Sequence, residues 1–258
     1  MPQTKIVFFD IDGTLIDMQA KKITPKMVET LHRLQDRGIK ICIATGRSPM
    51  VLPKIDGVAF DAYLTFNGSL CYDRKGVIFS NPIPHKDVVR FIQNAAALGR
   101  PVCVSTRGRL AANGTDTDLT DYFFIANEPV PVADDFDAVC AEDIYQLMLG
   151  CRPKDYPALL DGAPGAKIAA WWDRAVDVIP ASGGKGIGIE KMLAYYGLDK
   201  AEALAFGDGN NDQEMLQAVG TGVAMENGSP ELKALADEIC GPVYEDGIYH
   251  YCADKGLI

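Results

Sequence analysis

Ile6-Val7-Phe8-Phe9-Asp10-Ile11-Asp12-Gly13-Thr14-Leu15 decides how the rest of this 258-residue chain is read. Four apolar residues in a row, two of them β-branched or aromatic on each face, predict a strand buried on both sides. The run stops at an aspartate, a second aspartate follows two residues later, and a glycine turns the chain. Far downstream, a second apolar run, Ala203 to Phe206, breaks in the same way into Gly207-Asp208-Gly209-Asn210-Asn211-Asp212. Two strand ends that carry acids, distant in sequence, are what a fold supplies when it assembles one oxygen-ligand cation site. Such a site suits phosphate chemistry.

The segments around these two runs alternate. Thr24-Pro25 is an N-cap followed by proline at the first helical position, and Met27, Leu31 and Leu34 recur at helical spacing until Gly38. Ile39 to Ile43 is predicted as a strand, Ser48-Pro49 as the opening of a helix, Ala62 to Phe66 as a third strand, and Cys71 to Ser80 as a hairpin turning at Asp73-Arg74-Lys75-Gly76. Near the other end come a helix over Lys185 to Tyr196, a strand at Ala203 to Phe206, a helix from Asn211 to Val219, and a strand at Thr221 to Met225. Ser229-Pro230 caps a further helix, a short strand lies near Ile239, and a turn or helix closes the chain. Alternation with short joins predicts an α/β fold, a Rossmann-like, doubly wound parallel sheet with ligands at the carboxyl ends of its strands.

The middle reads differently. A helix at Lys86 to Leu98, strands at Pro101 to Thr106 and Arg109 to Ala112, a helix at Asp118 to Ala126, and strands at Ile144 to Gly150, Ala166 to Trp171 and Ala175 to Ile179 are separated by proline-bearing joins. This predicts an inserted α+β cap over residues 83–180, with 1–82 and 181–258 together forming the core. In the insertion, Trp171-Trp172 invites a sugar-stacking role, but one of two neighbours on a strand faces the packed side. Arg174 and Asp177 are weaker candidates for a substrate hydroxyl.

Composition narrows the partners. Twenty-five basic against 35 acidic residues leave a formal charge of −10, which repels nucleic acid and anionic membrane. Seven scattered cysteines without a C-x-x-C pair, and three scattered histidines, suggest neither a disulfide framework nor a zinc site. Ile6 to Phe9 is too short for a signal peptide, and no stretch approaches a membrane span, so the expectation is a cytoplasmic protein. Neither a coiled coil nor an obvious apolar stripe indicates an oligomer, and a monomer is compatible with the sequence.

The chemistry follows from charge. A carboxylate brought to about 4 Å from one phosphate charge meets about 4 kcal/mol of repulsion at an effective dielectric of about 20. Asp10 therefore requires a cation, and Asp208 is its obvious co-ligand. Oxygen donors without histidine or cysteine select Mg²⁺. Asp10 and Asp12 can divide the roles of ionised nucleophile and protonated acid. Thr45-Gly46-Arg47 follows the second strand at the same edge, where a hydroxyl and backbone N–H groups would bind phosphate oxygens. Lys185 starts a helix out of Ser182-Gly183-Gly184. A P-loop is excluded because Gly186 stands where Ser or Thr is required.

These residues resemble the motifs of the haloacid-dehalogenase-like hydrolase superfamily: Asp10-x-Asp12-Gly13-Thr14, then Thr45, then Lys185, then Gly207-Asp208-x-x-Asn211-Asp212, in the family's order. The insertion of roughly 100 residues and Asn67-Gly68 are similar to the Cof-type sugar-phosphatase subgroup with its large α/β cap. The resemblance implies that Asp10 forms an aspartyl-phosphate and that Asp12 protonates the leaving alcohol and then activates water. It implies Mg²⁺ held by Asp10, the Asp12 carbonyl, Asp208 and Asp212, with Thr45, Gly46, Lys185 and Asn211 on the phosphoryl group. The expected substrate is a small phosphorylated metabolite, most simply a sugar phosphate. Two alternatives stay open: a phosphomutase or phosphotransferase that passes the group to a sugar hydroxyl, and a non-catalytic phosphate-accepting sensor domain.

Overall fold

A computed structural model describes residues 3–125, 127–170 and 172–258. The chain divides into two compact units. One comprises residues 1–47, 53–80 and 184–258, and the other residues 48–52 and 81–183.

In chain order, the first segment contains β1 (Ile6–Phe9), α1 (Pro25–Asp36), β2 (Lys40–Ala44), β3 (Ala62–Thr65), β4 (Leu70–Asp73) and β5 (Gly76–Ser80). Thr24 caps α1 by accepting the N–H of Met27. The inserted segment contains α2 (His85–Ala97), β6 (Cys103–Ser105), β7 (Leu110–Ala112), α3 (Thr117–Ile125), α4 (Phe136–Val139), β8 (Gln146–Gly150), α5 (Tyr156–Leu160), β9 (Ala166–Ala169) and β10 (Ala175–Pro180). The last segment contains α6 (Lys185–Tyr196), β11 (Ala203–Gly207), α7 (Gln213–Gln217), β12 (Thr221–Met225), α8 (Pro230–Leu235), β13 (Glu238–Cys240) and α9 (Gly247–Asp254).

Among the described residues, the first unit forms an eight-stranded sheet in the order β13-β12-β11-β1-β2-β3-β4-β5. Its pairs are parallel from β13 through β3, and β4 and β5 add an antiparallel edge. One face packs Ile6, Phe8, Cys42 and Leu64 against Ile189 and Met192 of α6, Met215 and Leu216 of α7, and Leu232 of α8. On the other face α1 meets β2 and α9, and the Phe206 ring meets Tyr251 edge-on at 5.4 Å. Both faces are therefore covered, which is why β1 is apolar without alternation.

The second unit is an antiparallel five-stranded sheet, β7-β6-β8-β10-β9. Val88 and Phe91 of α2 and Leu159 of α5 pack on one face, and Leu119 and Phe123 of α3 on the other. All seven cysteines are buried and unpaired. No described helix is long and apolar enough to cross a membrane.

Several sequence expectations need correction. The helix expected at Ser48-Pro49 is a three-residue 3₁₀ turn, Pro49–Val51, because Pro53 forces Leu52 into extended backbone. The third strand stops at Thr65, since Phe66 and Asn67 take positive φ values of 52° and 51°. The strand expected from Pro101 to Thr106 shrinks to three residues. The Asn113 side chain takes the N–H of Val102, and the Thr106 hydroxyl accepts the N–H groups of Gly108 and Arg109 in a tight turn. The ends predicted at Ala126 and Trp171 lie outside the described residues, so the stacking idea is left with Trp172. That residue sits in a bend beyond β9 with the Arg174 guanidinium 5.1 Å from its ring centroid.

Candidate active site

The parallel register of β1 with β11 pairs Phe9 with Phe206, and their rings stack at 5.5 Å. The N–H of Asp10 then donates to the carbonyl of Phe206 at 3.0 Å. This ladder brings Asp10 and the Gly207-Asp208 turn out at one sheet edge. Past Asp10 the chain makes a single wide turn in which the N–H groups of Leu15 and Ile16 both reach the Ile11 carbonyl, at 3.0 and 2.8 Å. Gly13 has φ +85°, and a Cβ there would collide with the Asp208 carboxylate. The Thr14 hydroxyl donates to Asp208 Oδ1 at 2.8 Å, so the two acidic loops are tied directly together.

Lys185 arrives from the other direction. It is the first residue of α6 and is 1 % exposed. Its Nζ lies 2.6 Å from Asp10 Oδ1 and 2.5 Å from Asp212 Oδ1. Asp212 also accepts the backbone N–H groups of Asp208 and Gly209 on Oδ2, each at 3.0 Å. It thus fixes both the lysine and the loop that presents Asp208.

Oxygens of Asp10, Asp208 and Asp212 lie within 4.8 Å of one another. Three carboxylates against one ammonium leave two negative charges in a buried space, and the group energies reflect it. Burial, opposed by Lys185 and reinforced by Asp212, Asp208 and Asp12, holds Asp10 well above the usual carboxylate range. Burial and then Asp212 push Asp208 up to about 7. Burial alone would lower Lys185, but Asp10 and Asp212 overcome it and hold the ammonium above its usual range. A divalent cation would cancel this surplus, and an all-oxygen donor set matches a hard ion. The cluster fits a metal.

The phosphate side of the site comes from β2 and β3. Thr45 donates its N–H to Leu64 and accepts the N–H of Asn67 on its carbonyl, at 2.9 and 3.0 Å. Its hydroxyl accepts the N–H of Arg47 at 3.1 Å, leaving the hydroxyl proton for another acceptor. Asn67, in left-handed backbone and 3 % exposed, lies against Gly46 and accepts Asn211 Nδ2 at 3.2 Å. Gly68, at φ +93°, passes so close to the Gly184 carbonyl that no side chain fits between them, which seats this loop on the start of α6.

The eight site residues expected from the sequence thus all lie in the first unit, but Asp12 stands apart from the carboxylate cluster. Arg47 grips it with Nε at 2.8 Å from Oδ2 and a second guanidinium nitrogen at 2.6 Å from Oδ1. The sequence leaves Arg47 between a contact to the leaving group and an ordinary surface ion pair, and gives Thr14 no role beyond its place in the first motif. Asn67 forms the corner after the third strand and is also a partner of Asn211. Its Asn-Gly dipeptide directly after a strand was the available signal. Arg174 and Asp177 are engaged within their own unit, Arg174 with Asp118 and Asp121, and Asp177 with the Tyr122 hydroxyl at 2.7 Å.

Residues 7–252 match the family model of haloacid dehalogenase-like hydrolases. YkrA of Bacillus subtilis, provisionally named a phosphatase, is 34 % identical over 257 residues, covering 99 % of both chains. Among solved structures, a phosphatase of this superfamily from Bacteroides thetaiotaomicron superimposes with a TM-score of 0.92 at 30 % identity, over 99 % of this chain and 96 % of its own. A subclass IIB sugar phosphatase gives 0.89 at 28 % identity, over 99 % of this chain and all of its own. With whole-length relatives and a lysine-bound aspartate cluster at the strand ends, the chain belongs to the haloacid-dehalogenase-like hydrolases, in their Cof-type branch, and is a phosphatase.

Proposed function

We propose that this phosphatase is Mg²⁺-dependent and hydrolyses small phosphorylated metabolites, sugar phosphates first among them, through an aspartyl-phosphate on Asp10. The observation that carries the reading is the cluster of Asp10, Asp208 and Asp212, with Lys185 bonded to Asp10 and Asp212. Asp10, Asp208, Asp212 and the backbone carbonyl of Asp12 would hold the ion. When bound, the ion would supply positive charge to the phosphoryl oxygens and favour the ionised form of Asp10.

Asp10 attacks phosphorus as the bond to the alcohol oxygen breaks, and Asp12 gives its proton to that oxygen. Water then attacks the same phosphorus while Asp12 takes the water proton. The Asp10–phosphorus bond breaks, and inorganic phosphate leaves. Lys185, the Thr45 hydroxyl, the Gly46 N–H and Asn211 bind the phosphoryl oxygens. The unit of residues 81–183 is assigned the selection of the alcohol, a preference for sugars being supported by the likeness to a sugar phosphatase. A cytoplasmic metabolite pool suits such an enzyme.

The test is a panel of sugar, nucleotide and organic-acid phosphates assayed with Mg²⁺ and with EDTA, following free phosphate and isomerised sugar together. Phosphate release that requires Mg²⁺ and vanishes in Asp10→Asn supports the reading. Isomerised sugar without phosphate release would replace it with the mutase alternative.

A further inference from the structure

The Asp12–Arg47 pair is unlike every other contact in this site. Asp12 lies outside the carboxylate cluster, and its two oxygens are each held by a different nitrogen of one guanidinium, at 2.8 and 2.6 Å. A two-pronged grip fixes the plane of the carboxylate as well as its place, which a single donor or a lysine does not do. Arg47 is itself fixed from behind: its N–H donates to the Thr45 hydroxyl, and its carbonyl accepts the N–H of Phe66 at 3.0 Å. The strand end that presents Thr45 and Gly46 therefore also sets the orientation of Asp12.

We infer that Arg47 is a positioning residue for the leaving-group step, aiming the Asp12 carboxyl at the bridging oxygen of the phosphate ester. This rests on the proposed role of Asp12. Proton transfer demands heavy-atom contact of about 3 Å along a defined direction, and misplacement by about 1 Å can lower a rate by about 10²-fold. A carboxyl freed from its fork rotates about two side-chain torsions, so only reactions that need its proton suffer. Alkyl esters such as sugar phosphates have poor leaving groups and need that proton. Aryl esters such as p-nitrophenyl phosphate leave as stable anions and need it little.

The experiment compares kcat on an alkyl and an aryl phosphate for the wild type, Asp12→Asn, Arg47→Ala, Arg47→Lys and the double variant Asp12→Asn/Arg47→Ala. The expected result for Arg47→Ala is a loss of about 10- to 100-fold on the alkyl ester and less than about threefold on the aryl ester. Arg47→Lys restores only part of the alkyl rate. In the Asp12→Asn background, removing Arg47 changes the alkyl rate by less than about twofold, because its effect runs through Asp12. Equal losses on both esters in Arg47→Ala, or a full further loss in the double variant, would overturn the inference while leaving the role of Asp12 standing. If Asp12→Asn itself fails to discriminate between the esters, the role of Asp12 falls and the inference falls with it.

Discussion

Each unit of the molecule contains a crowded aspartate, and the two are balanced in opposite ways. In the second unit, Asp118 receives guanidinium groups from Arg100, Arg152 and Arg174 at 3.0–3.2 Å, and Asp116 and Asp121 pair with the outer arginines. The hydrogen bond from Arg152 is the largest influence there, and with Arg174 it holds Asp118 below the usual carboxylate range. At the sheet edge of the first unit, three aspartates cluster beside one lysine that bonds Asp10 and Asp212, and Asp208 rises to about 7. A cluster that only holds a fold together brings its own counter-charges. The cluster at the strand ends is left two charges short, and such a deficit persists where a ligand is meant to fill it.

Removing a member of the deficient cluster should have the largest effect. Asp10→Asn is expected to lower kcat by at least about 10⁴-fold while the protein remains folded, as followed by phosphate release and circular dichroism. The charge deficit should next appear as a metal-dependent stability. Asp208 is protonated more readily in the folded than in the unfolded chain, so between its ordinary value and about 7 the folded state binds more protons. Stability of the ion-free protein therefore falls as pH rises through that window. Mg²⁺ at 100 times its Kd would contribute about 2.7 kcal/mol, a rise in Tm of about 5 °C or more at pH 8. The rise should be markedly smaller at pH 5.5, where protons occupy the cluster. Equal shifts at both values in a thermal melt would contradict the charge deficit.

The balanced cluster should respond in the reverse manner. Asp118→Ala removes the carboxylate that three arginines share, leaving Asp116 and Asp121 to pair with Arg100 and Arg174, and is expected to lower Tm by several degrees at pH 7, with the Mg²⁺ shift retained. Because the folded state holds Asp118 below its ordinary value, this contribution is present at neutral pH and is lost as pH falls through the folded value. The smallest effect is expected at Arg109, whose pair with Asp135 is 44 % and 52 % exposed. Arg109→Ala should move Tm by less than about 1 °C.

Elements whose burial is written locally were legible. The apolar run before Asp10, the Thr24-Pro25 start of α1 and the Gly197 end of α6 each carry their own physical cue, and the observed elements begin and end within a residue or two of them. The short helices α4 and α5 were missed because four or five residues span barely more than one turn and show no periodicity. The left-handed Phe66 was likewise unreadable, since a phenylalanine at positive φ is imposed by packing and runs against its own preference. In the site, residue types singled out the acids, the lysine and the threonine, but not whom each would face. Asp10 and Asp12 look alike in sequence, yet one meets Lys185 and the other Arg47.

Sequence by itself determined the doubly covered sheet, the acid-bearing strand ends and an all-oxygen set of acids that could hold a hard cation. These follow from runs of apolar side chains and from the chemistry of oxygen donors, and both are local properties. Only the tertiary structure decided that Asp212 shares Lys185 with Asp10, that Gly13 lets Asp208 close in, and that Arg47 takes Asp12. Those pairings join residues up to 195 positions apart along the chain (13 to 208). Strand register and backbone approach set them, and no single segment encodes either.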